Sequence, residues 1–243
     1  MPSVSHAGQP ERHIRLPGTR NLRDVGGYPA GSGLRTRWRT LLRTDALDRL
    51  PDTSQQMLLD LGLRQVIDLR WPEELAEAPS VFAMSAAVRY TSIPLLKDDP
   101  GPDAGLADIY RRVFDERAAQ LAEIVRALLE PDGLPAVIGC AAGKDRTGVT
   151  IALLLATVGV AHDVIARDYA LTVEIFAEAV QDAHLVDWRA EAVDLDGSPD
   201  YILGALDHLD RRHGGPHALL RKQGVSDEEI AHLIDLLTER LAD

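Results

Sequence analysis

The stretch from Leu134 to Gly159, LPAVIGCAAGKDRTGVTIALLLATVG, constrains the fold more than any other part of the chain. It opens with a short apolar run, breaks into a polar turn, and resumes as an apolar run too long for a strand. A short run with no polar alternation is a strand buried on both faces. A helix with almost no polar residues has no solvated side and belongs inside the molecule. Its length falls short of a bilayer span, so it reads as a core helix that stops at Gly159. Strand, turn and buried helix in this order predict a layered α/β architecture.

The flanking chain agrees. RQVIDLR and VRYTSIPL read as strands, as do the short segments HIRL and WRTLLRT. LPDTSQQMLLDLGL reads as a helix ending at Gly62. Residues 101–133 carry helical periodicity over two helices, and AHDVIARDYALTVEIFAEAV continues helically after the core helix. Beyond the polar stretch DLDGSPD, two or three further helices follow, one opened by a capping box with Ser226 as N-cap and Glu229 three residues on. Strands alternating with helices predict a mostly parallel central sheet flanked by helices, with an added helical or lid region at the C-terminal side. Residues 1–12 read as a disordered tail, and 13–243 as a single domain.

Charge excludes some functions. The net charge is −12, which argues against nonspecific nucleic-acid binding. Yet Arg12 to Arg43 holds eight arginines and a single acid, Asp24, so the remainder is strongly acidic. That arginine-rich segment is either a surface strand or a basic rim around an anion site. The N-terminus has no apolar signal region, which points to the cytoplasm, with secretion by another route left open. The histidines show no metal-ligand spacing, and one cysteine allows no intrachain disulfide.

That one cysteine, Cys140, sits where the strand meets the turn. In open α/β sheets ligands bind at the carboxyl ends of strands, so CAAGKDRTG lies where a ligand would. A tight strand-to-helix turn directs backbone N–H groups inward, and the helix end adds partial positive charge. Gly143 tolerates positive φ. Arg146 offers a planar fork to two phosphate oxygens, and Lys144, one of three lysines in the chain, adds positive potential. The residues lining such a bowl are Ala141, Ala142, Gly143, Lys144, Asp145, Arg146 and Thr147. The same N–H groups stabilise a thiolate at Cys140, which can attack phosphorus. Thr147 could donate to the sulfur, and Gly148 lets the helix approach the sheet closely. A nucleotide-binding loop needs G-x-x-x-x-G-K-[ST]; Gly139 to Gly143 is one residue short, and Asp145 stands where the hydroxyl belongs.

CAAGKDRTG resembles the signature loop of cysteine-dependent protein tyrosine phosphatases, and more narrowly that of bacterial tyrosine/serine phosphatases. RNLRDVGGY, LLRTDAL, VIDLRWPEEL, RDYALT and the tail HGGPHALLRKQGVSDEEIAHLIDLL are similar to further elements of that family, in the same order. The resemblance covers most of residues 18–240. It implies an α/β phosphatase fold, a phosphocysteine intermediate, no cofactor or metal, and activity on phosphotyrosine, with phosphoserine/threonine or phosphoinositides as further substrates of some members. The partners it implies are a phosphorylated protein or phosphoinositide and inorganic phosphate. The family usually carries His before the nucleophile, where this chain has Gly139. A missing brace keeps a third reading open, a phosphate-binding protein with weakened turnover.

Three carboxylates compete as proton donor to the leaving oxygen. Asp145 ranks first, being inside the loop, and the resemblance also points to it. Asp68, at the end of a strand, ranks second. The acid of RWPEE resembles the mobile acid loop of eukaryotic tyrosine phosphatases, but its place directly after a strand favours an Arg70–Glu74 pair instead. Asn21, Arg23 and Asp24 are expected to brace the loop, with Gly26 and Gly27 making a close turn. Arg43, Asp45, Arg167 and Asp168 are expected in internal ion pairs.

Overall fold

The computed structural model describes residues 10–96, 105–181 and 196–241. Its central sheet has five strands in the order β1 (Arg23–Asp24), β4 (Leu41–Thr44), β7 (Ala136–Gly139), β5 (Gln65–Asp68) and β6 (Arg89–Ser92). All neighbours are parallel except the β1–β4 pair. The three inner strands are buried along their whole length, as strands of a sheet covered on both faces are. Successive residues still point to opposite faces. Leu41, Ile67 and Ile138 enter one apolar cluster, whereas Leu42, Val66 and Val137 enter the other.

The smaller cluster lies under α1 (Asp52–Asp60) and the loop carrying Phe82. α2 (Pro72–Glu77) follows β5 by a short turn. The larger cluster is covered by α3 (Leu106–Glu116), α4 (Ala118–Leu129), α5 (Asp145–Thr157), α6 (His162–Gln181), α7 (Pro199–His208), α8 (Pro216–Lys222) and α9 (Asp227–Leu237). The apolar helix α5 sits at its centre, packed against β4, β7, α3, α6, α7 and α8, and Gly159 ends it at φ +83°. The expected capping box opens α9: Ser226 Oγ accepts from Glu229 N–H at 3.1 Å, and Glu229 Oε2 accepts from Ser226 N–H at 2.7 Å.

Two elements depart from expectation. HIRL makes only an isolated bridge, His13 to Arg23. The C-terminal Thr238–Arg240, which the sequence does not mark as a strand, forms β8 and completes a second antiparallel sheet, β2 (Pro29–Ala30), β3 (Leu34–Thr36), β8. Pairing Thr238 with Thr36 and Arg35 with Glu239 is long-range information that local periodicity does not carry. Of the expected tail, residues 1–9 lie outside the described residues. Arg12 is fixed, donating to Asp24 O and Gly26 O at 2.6 and 2.8 Å and stacking on Tyr28 and Trp38. The first two residues of the polar stretch DLDGSPD, Asp194 and Leu195, also lie outside the described residues.

Candidate active site

β7 is the middle strand, and Cys140 follows it directly, a free thiol only 3% exposed. The chain then turns over residues 141–144 into α5. Gly143 makes the turn at φ +65°; a Cβ there would meet Thr44 O at 2.3 Å. The carbonyls of this turn are held from outside. Ala46 N–H donates to Ala141 O at 3.1 Å. Asn21 Nδ2 donates to Ala142 O at 2.9 Å and Gly143 O at 3.2 Å, and Arg43 Nη2 to Gly143 O at 2.7 Å. In a planar trans peptide the N–H points opposite the C=O. The N–H groups of Ala142, Gly143 and Lys144 therefore face away from these braces. Those of Asp145, Arg146 and Thr147 open α5 and have no preceding turn to bond. Together they make a concave set of donors at a helix N-terminus, suited to an anion.

Behind the braces lies a buried ionic cluster. Asp168 Oδ2 accepts from Arg43 at 2.6 Å, and its Oδ1 from Tyr28 OH at 2.8 Å and Arg23 Nε at 3.5 Å. Arg23 also donates to Asp168 O, Thr172 Oγ and the side chain of Asn21. Burial alone would raise the Asp168 pKa, but the two guanidinium charges and the Tyr28 hydrogen bond bring it down to about 2. Burial and the adjacent Arg43 charge push Arg23 down to about 10. Asn21, Arg43 and the loop are thus one hydrogen-bonded unit, as the sequence suggested for Asn21. Arg23 makes no hydrogen bond to the loop itself and acts through Asn21 and through Asp168, which holds Arg43. Asp24 holds the 24–39 turn instead, accepting from Gly26 and Arg39 N–H at 2.7 and 2.8 Å. Gly26 is required there, since a Cβ would sit 2.5 Å from Trp38 Cα.

Arg146 is clamped by Glu74, Nη1 to Oε2 at 2.5 Å and Nη2 to Oε1 at 2.8 Å. Two of its five N–H donors are used, and three remain for a ligand. Burial disfavours the Arg146 charge, but the Glu74 hydrogen bonds and the neighbouring Cys140 sulfur more than offset it and hold the pKa above the usual arginine value. Burial likewise raises Glu74, and its bonds from Arg146 and Trp71 N–H bring it below the usual range. This overturns the expected Arg70–Glu74 pair. Arg70 grips Asp68 instead, Nη2 to Oδ2 at 2.7 Å, and Tyr90 OH adds a bond at 3.0 Å. So tied, Asp68 serves as a structural anchor for the strand end.

Asp145 is the first residue of α5 and is partly exposed. Its Oδ1 accepts a short hydrogen bond from Tyr110 OH, which in turn lies 2.6 Å from Tyr169 OH. Burial and the Asp145 charge raise the Tyr110 pKa, so it stays protonated and donates. Oδ2 has no partner among the described residues. Thr147 Oγ is buried and likewise makes no hydrogen bond. Lys144 is not spread over a pocket wall: its side chain is 2% exposed, with Nζ 3.8 Å from Asp145 Oδ1. Gly148 makes its close approach to Tyr169 on α6 rather than to the sheet; a Cβ there would meet the Tyr169 ring at 2.9 Å.

The arginine-rich segment does not form a basic rim: Arg15 and Arg37 are exposed, and the others are spread over separate contacts. Arg23 and Arg43 are buried in the Asp168 cluster, Arg35 pairs with Glu239, and Arg39 with Asp24. Only Arg43 reaches the loop. Of the remaining expected ion pairs, Arg167 pairs with Asp163 at the surface. Asp45 accepts instead from Thr19 OH and the N–H groups of Arg20 and Asn21. Gly139 has its own explanation. It pairs with Thr44 and Asp68 across the sheet, and a Cβ would meet Thr44 Cγ2 at 2.7 Å and Asp45 O at 3.1 Å. No side chain fits there; Asn21, Arg43 and Ala46 supply the bracing.

A concave set of N–H groups lies at the carboxyl end of a central parallel strand, with an arginine clamped beside it, an arrangement suited to an anion. Fold and site together define an α/β phosphatase. Comparison with known proteins makes the class particular: a model of the tyrosine phosphatase family matches residues 14–239, and the chain belongs to that family. It is similar to the triple specificity protein phosphatase PtpB of Mycobacterium tuberculosis, 27% identical over 273 residues that cover 91% of this chain and 98% of that one. A tyrosine-protein phosphatase of Nostoc commune is 27% identical over 212 residues, 79% of this chain and 72% of its own. Among solved structures, P. aeruginosa TpbA in complex with pTyr aligns with TM-score 0.38 and 19% identity, covering 80% of this chain and 98% of that one. No described helix is long and apolar enough to cross a membrane.

Proposed function

We propose that this chain hydrolyses phosphotyrosine in proteins through a phosphocysteine at Cys140. The observation that carries the reading is the orientation of the loop. Its carbonyls are held by Asn21, Arg43 and Ala46, so its N–H groups face the space above Cys140. In the first step the Cys140 thiolate attacks phosphorus while the bond to the tyrosine oxygen breaks. The three equatorial oxygens sit on the N–H groups of residues 141–147 and on the free donors of Arg146. Asp145 gives its proton to the leaving oxygen. Tyr110 fixes one carboxyl oxygen, leaving Oδ2 to carry that proton. In the second step a water loses a proton to Asp145 and attacks phosphorus, the sulfur–phosphorus bond breaks, and phosphate leaves. The buried Thr147 hydroxyl has no hydrogen-bond partner among the described residues, a state that costs about 1–3 kcal/mol, and in this reading it turns to donate to the departing sulfur. No step calls on a metal or cofactor.

The chemistry extends to phosphoserine and phosphothreonine, whose alkoxides need the Asp145 proton more. A phosphoinositide headgroup would suit a deep basic pocket to which Lys144 adds, and the burial of the Lys144 side chain beside Asp145 weighs against that alternative. The phosphate-binding alternative drew on Gly139, and the braces from Asn21 and Arg43 remove that support. The whole of residues 13–243 acts as one phosphatase domain in this reading. Released phosphate measured across phosphotyrosine, phosphoserine and phosphoinositide substrates tests it. Phosphotyrosine peptides are expected to turn over fastest; a phosphoinositide preference, or tight peptide binding without release, would overturn it.

A further inference from the structure

Away from the loop, three side chains with lone pairs converge on one point. His208 Nε2 lies 2.9 Å from Asp115 Oδ1, and His213 Nε2 lies 2.7 Å from the same oxygen. The three donor atoms are all within 4.8 Å of one another. Asp115 comes from α3, His208 ends α7, and His213 closes the following π-turn, Leu209–His213.

The π-turn produces this convergence. In an α-helix, residues five apart diverge by about 140° around the axis. The wider π-turn bonds i to i+5 and stacks such residues on one side, and these turns recur at functional sites. It brings the His208 and His213 rings edge to face at 5.8 Å. Both rings then present the same nitrogen to the same carboxylate oxygen, although Oδ2 offers a second acceptor. Side-chain exposures of 37%, 23% and 13% for Asp115, His208 and His213 leave the cluster partly open to solvent.

We infer that Asp115, His208 and His213 bind a divalent transition metal, zinc in the first instance, with water completing a tetrahedron. Two neutral imidazoles and a carboxylate are a zinc donor set with one open position. Zinc–ligand bonds of about 2.0–2.2 Å place tetrahedral ligand atoms about 3.3 Å apart. The observed 2.7 and 2.9 Å separations therefore widen by about half an ångström when the ion enters, which rotation of the three side chains allows. The ion takes no part in phosphate chemistry. It fastens the end of α3, the helix that carries Tyr110, to the C-terminal helices. The bracing role is independent of the phosphatase reading.

The test uses the full chain, untagged, with Cys140→Ser so that the thiolate cannot bind the ion, and stripped by a chelator. Titration with zinc by calorimetry, and with cobalt(II) by visible absorption, is expected to give one ion per chain and the strong bands of a four-coordinate centre. Zinc should raise the melting temperature. His213→Gln and Asp115→Asn should weaken binding at least about 100-fold and abolish that rise. Histidine-selective NMR of the Cys140→Ser chain locates the ion without a further substitution: zinc must shift the Nε2 resonances of His208 and His213. Lack of a saturable one-to-one isotherm, or zinc that leaves both resonances unmoved, would overturn the assignment and leave two hydrogen bonds to Asp115.

Discussion

Replacing Gly139 by alanine places a methyl group 2.7 Å from Thr44 Cγ2, with Asp45 O and Thr44 O at 3.1 and 3.2 Å. Neither neighbour can retreat freely. Thr44 pairs with Gly139 between β4 and β7, and its hydroxyl is bonded to that of Thr19 at 3.0 Å. Overpacking of this kind costs about 1–3 kcal/mol. In a chain of this size each kcal/mol lowers the melting temperature by about 2–4 °C. Activity falls too, because Cys140 is the next residue. A displacement of 1 Å costs about 100-fold in rate, so a shift of a few tenths of an ångström costs about three- to tenfold. Gly139→His, which would restore the residue usual at this position in the family it resembles, should be worse than alanine. Adding Thr44→Ser removes Cγ2 while keeping the hydroxyl, and should recover more than half of both losses. Urea denaturation midpoints and kcat/KM on a phosphotyrosine peptide measure the two effects. A Gly139→Ala chain as stable and active as the parent, or a Gly139→His chain more active than it, would refute the reasoning.

Three other perturbations have defined outcomes. Asp145→Asn cannot give a proton, so it should slow phosphotyrosine about 100- to 10,000-fold but nitrophenyl phosphate far less; equal losses on both would make Asp145 a brace. Glu74→Gln removes the charge that clamps Arg146 and should lower kcat/KM about tenfold, with vanadate inhibition weakened in parallel; unchanged vanadate inhibition would count against the clamp. The Asp168 pKa, about 2 in the folded chain against an ordinary 3.8, contributes stability that is complete above the ordinary value and lost as pH falls from there toward 2. Asp168→Asn should destabilise the chain by about 3–5 kcal/mol at neutral pH and flatten that acid limb, read from urea midpoints against pH.

The central strand, the core helix and the loop were legible because each is encoded locally. Unalternating apolar runs mark burial, and the turn is written in Gly143, Asp145 and Arg146. The role of Asn21 could be anticipated from motif order. Glu74 was misassigned because sequence spacing favours near partners: it is four residues from Arg70 but 72 from Arg146, which it meets only across the sheet. The reason for a glycine at 139 was not legible in the sequence. A glycine looks like something missing until Thr44 is seen to occupy the space. Tyr110 and Tyr169 carry no local signal at all, since one is an ordinary core residue of α3 and the other of α6. The convergence of His208 and His213 depends on a π-turn that an α-helical reading of residues 209–213 does not produce.

The most direct measurement of the central claim is covalent. The chain is mixed with a phosphotyrosine peptide, quenched in acid within a turnover, digested and analysed by mass spectrometry. The account predicts one phosphoryl group on the peptide containing Cys140, more of it in the Asp145→Asn chain if that residue also activates the water, and none in Cys140→Ser. Phosphotyrosine hydrolysis by the Cys140→Ser chain at the parent rate, or a parent chain that turns over without ever labelling Cys140, would contradict it.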